Sequence, residues 1–316
     1  MNKYSHYILS ILVLIFASCS VGQEKKVAQE SIKCDILISN GTIYDGSGSK
    51  PYLGSLAIED DKIIYVGENA SFEADTVIDA TGMAVSPGFI NMLSWGYYSL
   101  MDDGRGLSDL KQGVTLEIFG EGTSPGPYWQ DGKFTSFGEA MSDLEDNGVS
   151  LNIASFLGAA TTRILEVGYE NRQANSSEMD RMRTHVENSM KEGAMGIGSS
   201  LIYAPGDYAS TEELTELSKV ASEYGGMYIS HLRSEGTKLL EALEELITIS
   251  RDADIPAEIY HLKASREPNW SKLDEVIRRV EEVRDEGLKI TADIYTYNAN
   301  SSFNSSYSRT RKIFYA

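Results

Sequence analysis

Gly225-Gly226-Met227-Tyr228-Ile229-Ser230-His231 and Ala257-Glu258-Ile259-Tyr260-His261-Leu262-Lys263 are two apolar runs, each closing on a histidine. Between them lies Leu239-Leu240-Glu241-Ala242-Leu243-Glu244-Glu245-Leu246-Ile247, whose apolar positions recur at helical spacing. The unit reads as strand, helix, strand. A crossover of this size makes the two strands parallel neighbours and brings both histidines to the same carboxyl edge of the sheet. In barrel enzymes that edge carries the chemistry.

Outward from this unit, Ser86-Pro87-Gly88 opens a rhythm of strands alternating with helices. Strands are predicted at 88–93, 114–119, 151–157, 194–199, 227–230, 258–260 and 289–294, with helices between them. Ser177 with Asp180, Ser210 with Glu213 and Ser271 with Asp274 read as helix starts. The predicted fold class is therefore α/β, an incomplete TIM-like (β/α) barrel holding about seven of eight strands. Upstream, residues 34–86 hold short apolar runs at 35–38, 42–44, 55–58, 62–66 and 76–78, punctuated by Asp45-Gly46-Ser47-Gly48 and Glu59-Asp60-Asp61. They predict a small N-terminal β-sandwich module.

The first residues form a leader. Lys3 precedes an apolar run from Tyr7 to Phe16, and Ala17-Ser18-Cys19 follows. The run is short for a membrane span. The pattern resembles a bacterial lipobox, which predicts export to the cell envelope and lipidation at Cys19; a plain secretory signal is the alternative. Residues 20–33 read as a polar linker. Cys34 is then left alone, so no internal disulfide is expected. Residues 87–300 would be the barrel. From Ser301 to Ala316 the text follows neither period, and a truncated or frameshifted end is the expectation.

The formal net charge of -19 argues against nucleic acid and against an anionic membrane surface as partners, leaving a lipid anchor as the only membrane contact. Of four histidines, His6 falls in the leader and His185 in a polar helical run, so His231 and His261 alone close apolar strands. Neutral imidazoles on adjacent strand ends suit zinc, which needs a third protein ligand. In Val114-Thr115-Leu116-Glu117-Ile118-Phe119-Gly120-Glu121, Glu117 and Glu121 share a face. Glu121 lies at the carboxyl edge, whereas Glu117 sits deeper and reads as a carboxylate paired with a basic group. Asp293 and Lys263 read as a rim ion pair or as site residues.

At these residues the chain resembles the D-aminoacylase (N-acyl-D-amino-acid deacylase) branch of the amidohydrolase superfamily, from about Asp35 to Ser301. The resemblance is carried by the segments 37–46, 85–90, 112–115, Leu201 to Ser210, Ile229 to Gly236 and His261-Leu262-Lys263. It implies a barrel beside a β module built from both chain ends, with His231 and His261 as metal ligands. Tyr203, Lys263, Tyr295 and Ser301 match substrate-contacting positions. The implied reaction is zinc-dependent hydrolysis of the amide C–N bond of a small substrate, an N-acyl-D-amino acid.

Three departures stand out. Asn91-Met92-Leu93-Ser94-Trp95 replaces the family's His-x-His pair, so one zinc ion is expected. Gly122 aligns with the family's cysteine ligand, with Glu121 beside it as the replacement. The family's catalytic aspartate stands on an eighth strand that the sequence does not reach, so no catalytic residue is assigned within it. The sequence thus supports a metal-dependent amidohydrolase; the alternatives are a non-catalytic truncated remnant, or a related enzyme with a dipeptide or cyclic-amide substrate.

Overall fold

The computed structural model describes residues 31–68, 71–295, 300–302 and 313–315. The predicted leader with Cys19 lies outside them. The chain divides into two compact units, up to Pro87 and from Gly88 onward.

The first unit is one mixed sheet of β1 (Ile32–Ile43), β2 (Tyr52–Glu59), β3 (Lys62–Gly67), β4 (Phe72–Asp79) and β5 (Ala84–Val85). Its order is β3-β2-β1-β4, with β5 also on β1. The predicted runs at 35–38 and 42–44 are a single strand. Pairing with β2 steps from Ile38↔Leu56 to Gly41↔Gly54, which inserts one extra residue on β1. Asn40 takes φ 61 within this bulge, and its polar side chain tolerates that backbone. Among the described residues the module is this sheet alone, without the second layer of the predicted sandwich.

The second unit runs β6 (Phe89–Asn91), α1 (Tyr97–Asp102), α2 (Leu107–Leu110), β7 (Val114–Phe119), a hairpin of β8 (Tyr128–Gln130) and β9 (Lys133–Thr135), α3 (Phe137–Asn147), β10 (Asn152–Ser155), β11 (Leu157–Gly158) and α4 (Ala159–Glu166). It continues through α5 (Ser176–Lys191), β12 (Gly196–Ser200), α6 (Thr211–Glu223), β13 (Met227–His231), α7 (Leu239–Asp252), β14 (Ala257–Ile259), α8 (Leu273–Asp285) and β15 (Ile290–Ala292). Two short strands, β16 (Asn300–Ser302) and β17 (Ile313–Tyr315), pair antiparallel in the segment expected to be irregular. Strands β6, β7 and β10 form one parallel sheet and β11 to β15 another. Phe156 alone separates β10 from β11, so the two are halves of one strand position that pairs β7 on one side and β12 on the other. Every strand predicted for the barrel is present, all parallel.

Helix α7 shows why this wall is covered by helices. Leu239, Leu243, Leu246 and Ile247 fall on one stripe and are at most 1% exposed, packed in the core with Ile197, Tyr228, Ala257 and Ile259 of the sheet. Each such side chain contributes about 1.5–3 kcal/mol on burial. The helix starts are partly displaced from the predicted ones. Asn175 with Glu178, not Ser177 with Asp180, forms the reciprocal cap of α5. Ser210 does cap α6, accepting from Glu213 N, without the reciprocal bond. Glu213 is drawn inward instead, to the fully buried Arg163 at 2.7 Å. A 3-10 turn over Glu267–Lys272 precedes α8, and Ser271 caps nothing.

Candidate metal centre

Three parallel strands deliver three side chains to one end of the wall. His231 is the last residue of β13 and is buried. His261 follows β14 by two residues with φ 36. Asp293 stabilises that unusual backbone, its Oδ1 accepting from His261 N at 2.6 Å. Glu121 follows β7 by two residues, between Gly120 at φ 106 and Gly122 at φ 74. A Cβ on Gly120 would lie 2.3 Å from Phe156 O, so only glycine lets β7 and β10 approach closely enough to turn Glu121 inward.

The result is a compact cluster. Glu121 Oε1 lies 2.7 Å from His231 Nδ1 and 3.8 Å from His261 Nε2. The two imidazoles stand 4.3 Å apart, nearly perpendicular. One ligand atom from each of Glu121, His231 and His261 falls within 4.8 Å of the others, an arrangement able to hold a metal ion. The other oxygen of Glu121 accepts from the Trp95 indole N–H at 2.7 Å.

The electrostatics favour a charged carboxylate here. Burial alone would raise the pKa of Glu121, but hydrogen bonds from His231 and Trp95, with the His261 ring 3.8 Å away, outweigh it and hold the group at about 2. Glu235 behaves alike: against burial, His261, Lys263 and His231 hold it at about 2. Burial opposes the charge on His261, yet Glu121 and Glu235 raise its pKa to about 9.

The predicted substrate-contacting residues gather around the same pair. The Tyr203 ring meets His231 edge-on with centroids 5.6 Å apart, and Tyr295 stands 6.4 Å from His261. Lys263 Nζ lies 3.0 Å from His261 Nδ1, 5.6 Å from the Tyr295 ring centroid, and in a very short contact with Glu235. Ser301 lies in β16, and its side chain is outside the described set. Of the two readings left open for Lys263 and Asp293, the rim pair does not form: Lys263 pairs with Glu235, and Asp293 accepts from the His261 backbone. Glu117 accepts from the Ser94 hydroxyl at 2.5 Å instead of pairing with a basic group, and burial raises its pKa. His185 pairs with Glu166 at 2.7 Å.

Two residues of the cluster were not singled out from the sequence. Glu235 stands four positions after His231, a spacing that could have marked it. Trp95 gave no signal beyond being an aromatic residue where an imidazole was expected. Two surface depressions of about 430 and 390 Å³ are lined by helical residues, among them Glu244 and Arg279, and Thr211 and Asp252, with no member of the cluster.

No family model matches the chain. It is 29% identical to the D-aminoacylase of Alcaligenes xylosoxydans xylosoxydans over 283 residues, 85% of this chain and 58% of that protein. A crystal structure of D-aminoacylase, described as defining a novel subset of amidohydrolases, superposes with a TM-score of 0.77 at 28% identity, over 85% of this chain and 60% of that one. An N-acyl-D-glutamate deacylase from Bordetella bronchiseptica, complexed with zinc and a phosphonate mimic of the tetrahedral intermediate, gives 0.77 at 25% identity and the same coverage. The chain's homologues are thus D-aminoacylases and their deacylase relatives, amidohydrolases of the TIM-barrel type. It spans about three fifths of the length of those it matches.

Proposed function

We propose that this chain supplies the metal-holding and substrate-facing part of an amidohydrolase site that hydrolyses the amide C–N bond of an N-acyl-D-amino acid, with one zinc ion. The convergence of Glu121, His231 and His261 at the carboxyl ends of parallel strands carries the reading. Two imidazoles and an ionised carboxylate are a donor set that suits zinc. His231 Nδ1, His261 Nε2 and Glu121 Oε1 are the atoms that would hold it. When bound, zinc acts as a Lewis acid toward the amide carbonyl. A single ion is favoured because the Trp95 indole N–H occupies the second oxygen of Glu121, and because Leu93 and Trp95 stand where the resemblance implies two further imidazoles.

The remaining residues bind and orient. Lys263 offers an ammonium to a substrate carboxylate, which must compete with Glu235 for it. Tyr203 and Tyr295 wall the histidines with aromatic faces and hydroxyls, and Ser301 is assigned to substrate by resemblance. Dipeptides and cyclic amides present the same amide, so a substrate panel decides among them. We read the parallel strands as seven positions of an eight-stranded barrel, a reading that the likeness to D-aminoacylase supports, and the N-terminal sheet as one layer of a sandwich. The lipobox supports export with a lipid on Cys19, and fatty-acid labelling abolished by Cys19→Ala tests it.

Elemental analysis of the purified protein after zinc loading, together with hydrolysis of N-acetyl-D-methionine, tests the site. We expect one zinc per chain, lost in His231→Ala, and turnover that follows it. A wild-type protein without zinc refutes the metal reading, whereas bound zinc without turnover on any N-acyl-D-amino acid refutes the hydrolytic one.

A further inference from the structure

Each histidine of the cluster has two ring nitrogens, and they face different carboxylates. His231 Nδ1 and His261 Nε2 face Glu121. The opposite nitrogens face one oxygen, Oε1 of Glu235, with His231 Nε2 at 3.4 Å and His261 Nδ1 at 3.1 Å. Among the described residues His231 Nε2 is buried and makes no hydrogen bond, Glu235 Oε1 being near it but not bonded to it. Glu235 is itself anchored. Lys263 donates to Oε1, Ser265 Oγ donates to Oε2 at 3.1 Å, and Ser265 N donates to the Glu235 carbonyl at 2.7 Å.

A neutral imidazole that gives one nitrogen to a metal carries its proton on the other. With the ion on the Glu121 side, the protons of both rings sit on the nitrogens that face Glu235. The carboxylate is then the acceptor for His261 Nδ1–H, and Lys263 donates to Glu235 in preference to the ring nitrogen it lies beside. The His231 contact needs to close by about 0.4 Å to become a normal hydrogen bond.

We propose, resting on the zinc reading above, that Glu235 is a positioning residue: one carboxylate that fixes the tautomer and ring plane of both ligand histidines and holds Lys263 beside them. Such outer partners typically contribute about 10- to 100-fold in metal affinity. Glu235 thus links the substrate-facing ammonium to the metal-facing imidazoles, because the same oxygen serves both.

The test is zinc affinity by chelator competition, with the visible spectrum of the cobalt-substituted protein, for the wild type, Glu235→Gln, Glu235→Asp and Ser265→Ala. We expect one ion per chain in all, an affinity about 10- to 100-fold lower and an altered cobalt spectrum in Glu235→Gln, partial recovery in Glu235→Asp, and a smaller loss in Ser265→Ala. Wild-type affinity and an unchanged spectrum in Glu235→Gln overturn the proposal while leaving the zinc site standing. Complete loss of binding in a folded Glu235→Gln also overturns it, by making Glu235 a direct ligand. If that variant does not fold, Glu235→Asp and Ser265→Ala decide, and unchanged affinity in both counts against the role. No zinc in the wild type removes the site and the proposal together.

Discussion

Alanine at Gly120 tests whether the turn after β7 is what places Glu121. A Cβ there would lie 2.3 Å from Phe156 O, 2.8 Å from its carbonyl carbon and 2.9 Å from its Cβ, at φ 106. Left-handed backbone costs an L-residue about 1–2 kcal/mol. Forcing a methyl between packed segments adds about 1–3 kcal/mol, for about 2–5 kcal/mol in all. Gly168 is the control, since at φ 80 it has nothing within 4 Å, and Gly168→Ala should show only the backbone part, about 1–2 kcal/mol. The steric contact at Gly120 must open by roughly 1 Å to become ordinary. Glu121 is the next residue, and its 2.7 Å approach to His231 does not survive a shift of that size. Urea unfolding and zinc competition on the three proteins separate the effects. We expect Gly120→Ala to be less stable than Gly168→Ala and to bind zinc about tenfold or more weakly, with Gly168→Ala binding as the wild type does. Equal stability of the two variants together with wild-type zinc affinity in Gly120→Ala would refute the reasoning.

Glu213→Ala leaves the fully buried Arg163 guanidinium without its carboxylate, and should destabilise by about 3–5 kcal/mol in urea melts; combining it with Arg163→Met should restore most of the loss, and no restoration would show that the charge is not the cause. With zinc chelated, Glu121 and Glu235, held at about 2 against an ordinary 4.5, add stability that is present above pH 4.5 and lost as pH falls through about 2. His261, raised from 6.5 to about 9, adds stability present below pH 6.5 and lost as pH rises through about 9. Stability of the zinc-free protein should therefore peak between about pH 4.5 and 6.5, and an alkaline decline of the same size in His261→Gln would contradict this. Trp95→Phe removes the donor to Glu121 Oε2 and should cost about 1 kcal/mol with a several-fold weaker zinc affinity; unaltered affinity would mean that the indole does not orient the carboxylate.

Much of the scaffold was legible because periodicity is local. The stripe of Leu239, Leu243, Leu246 and Ile247, the apolar runs ending at His231 and His261, and the thirty-residue crossover together specify a parallel βα unit. The two histidines follow from the same pattern. Period two along β7 points to Glu121 as well, but β7 ends at Phe119, and the Gly120 turn at φ 106, not the alternation, brings that side chain inward. Helix starts were less legible, since Asn175 and Ser177 are both sound capping residues and packing chooses between them. The β1 bulge escaped for a related reason: a single extra residue opposite β2 breaks the alternation and reads as two strands.

What the sequence determined by itself is the order of strands and helices and the edge on which the histidines stand, because side-chain period and crossover handedness depend only on neighbours in the chain. What only the tertiary structure decided is which ring nitrogen meets which carboxylate. Glu121 and His231 are 110 residues apart, Glu121 and Trp95 are 26 apart, and Lys263 chose Glu235 over Asp293. Those choices arise where strand ends converge, from distances of 2.7 to 3.8 Å that the packing of distant strands sets and that no local pattern encodes.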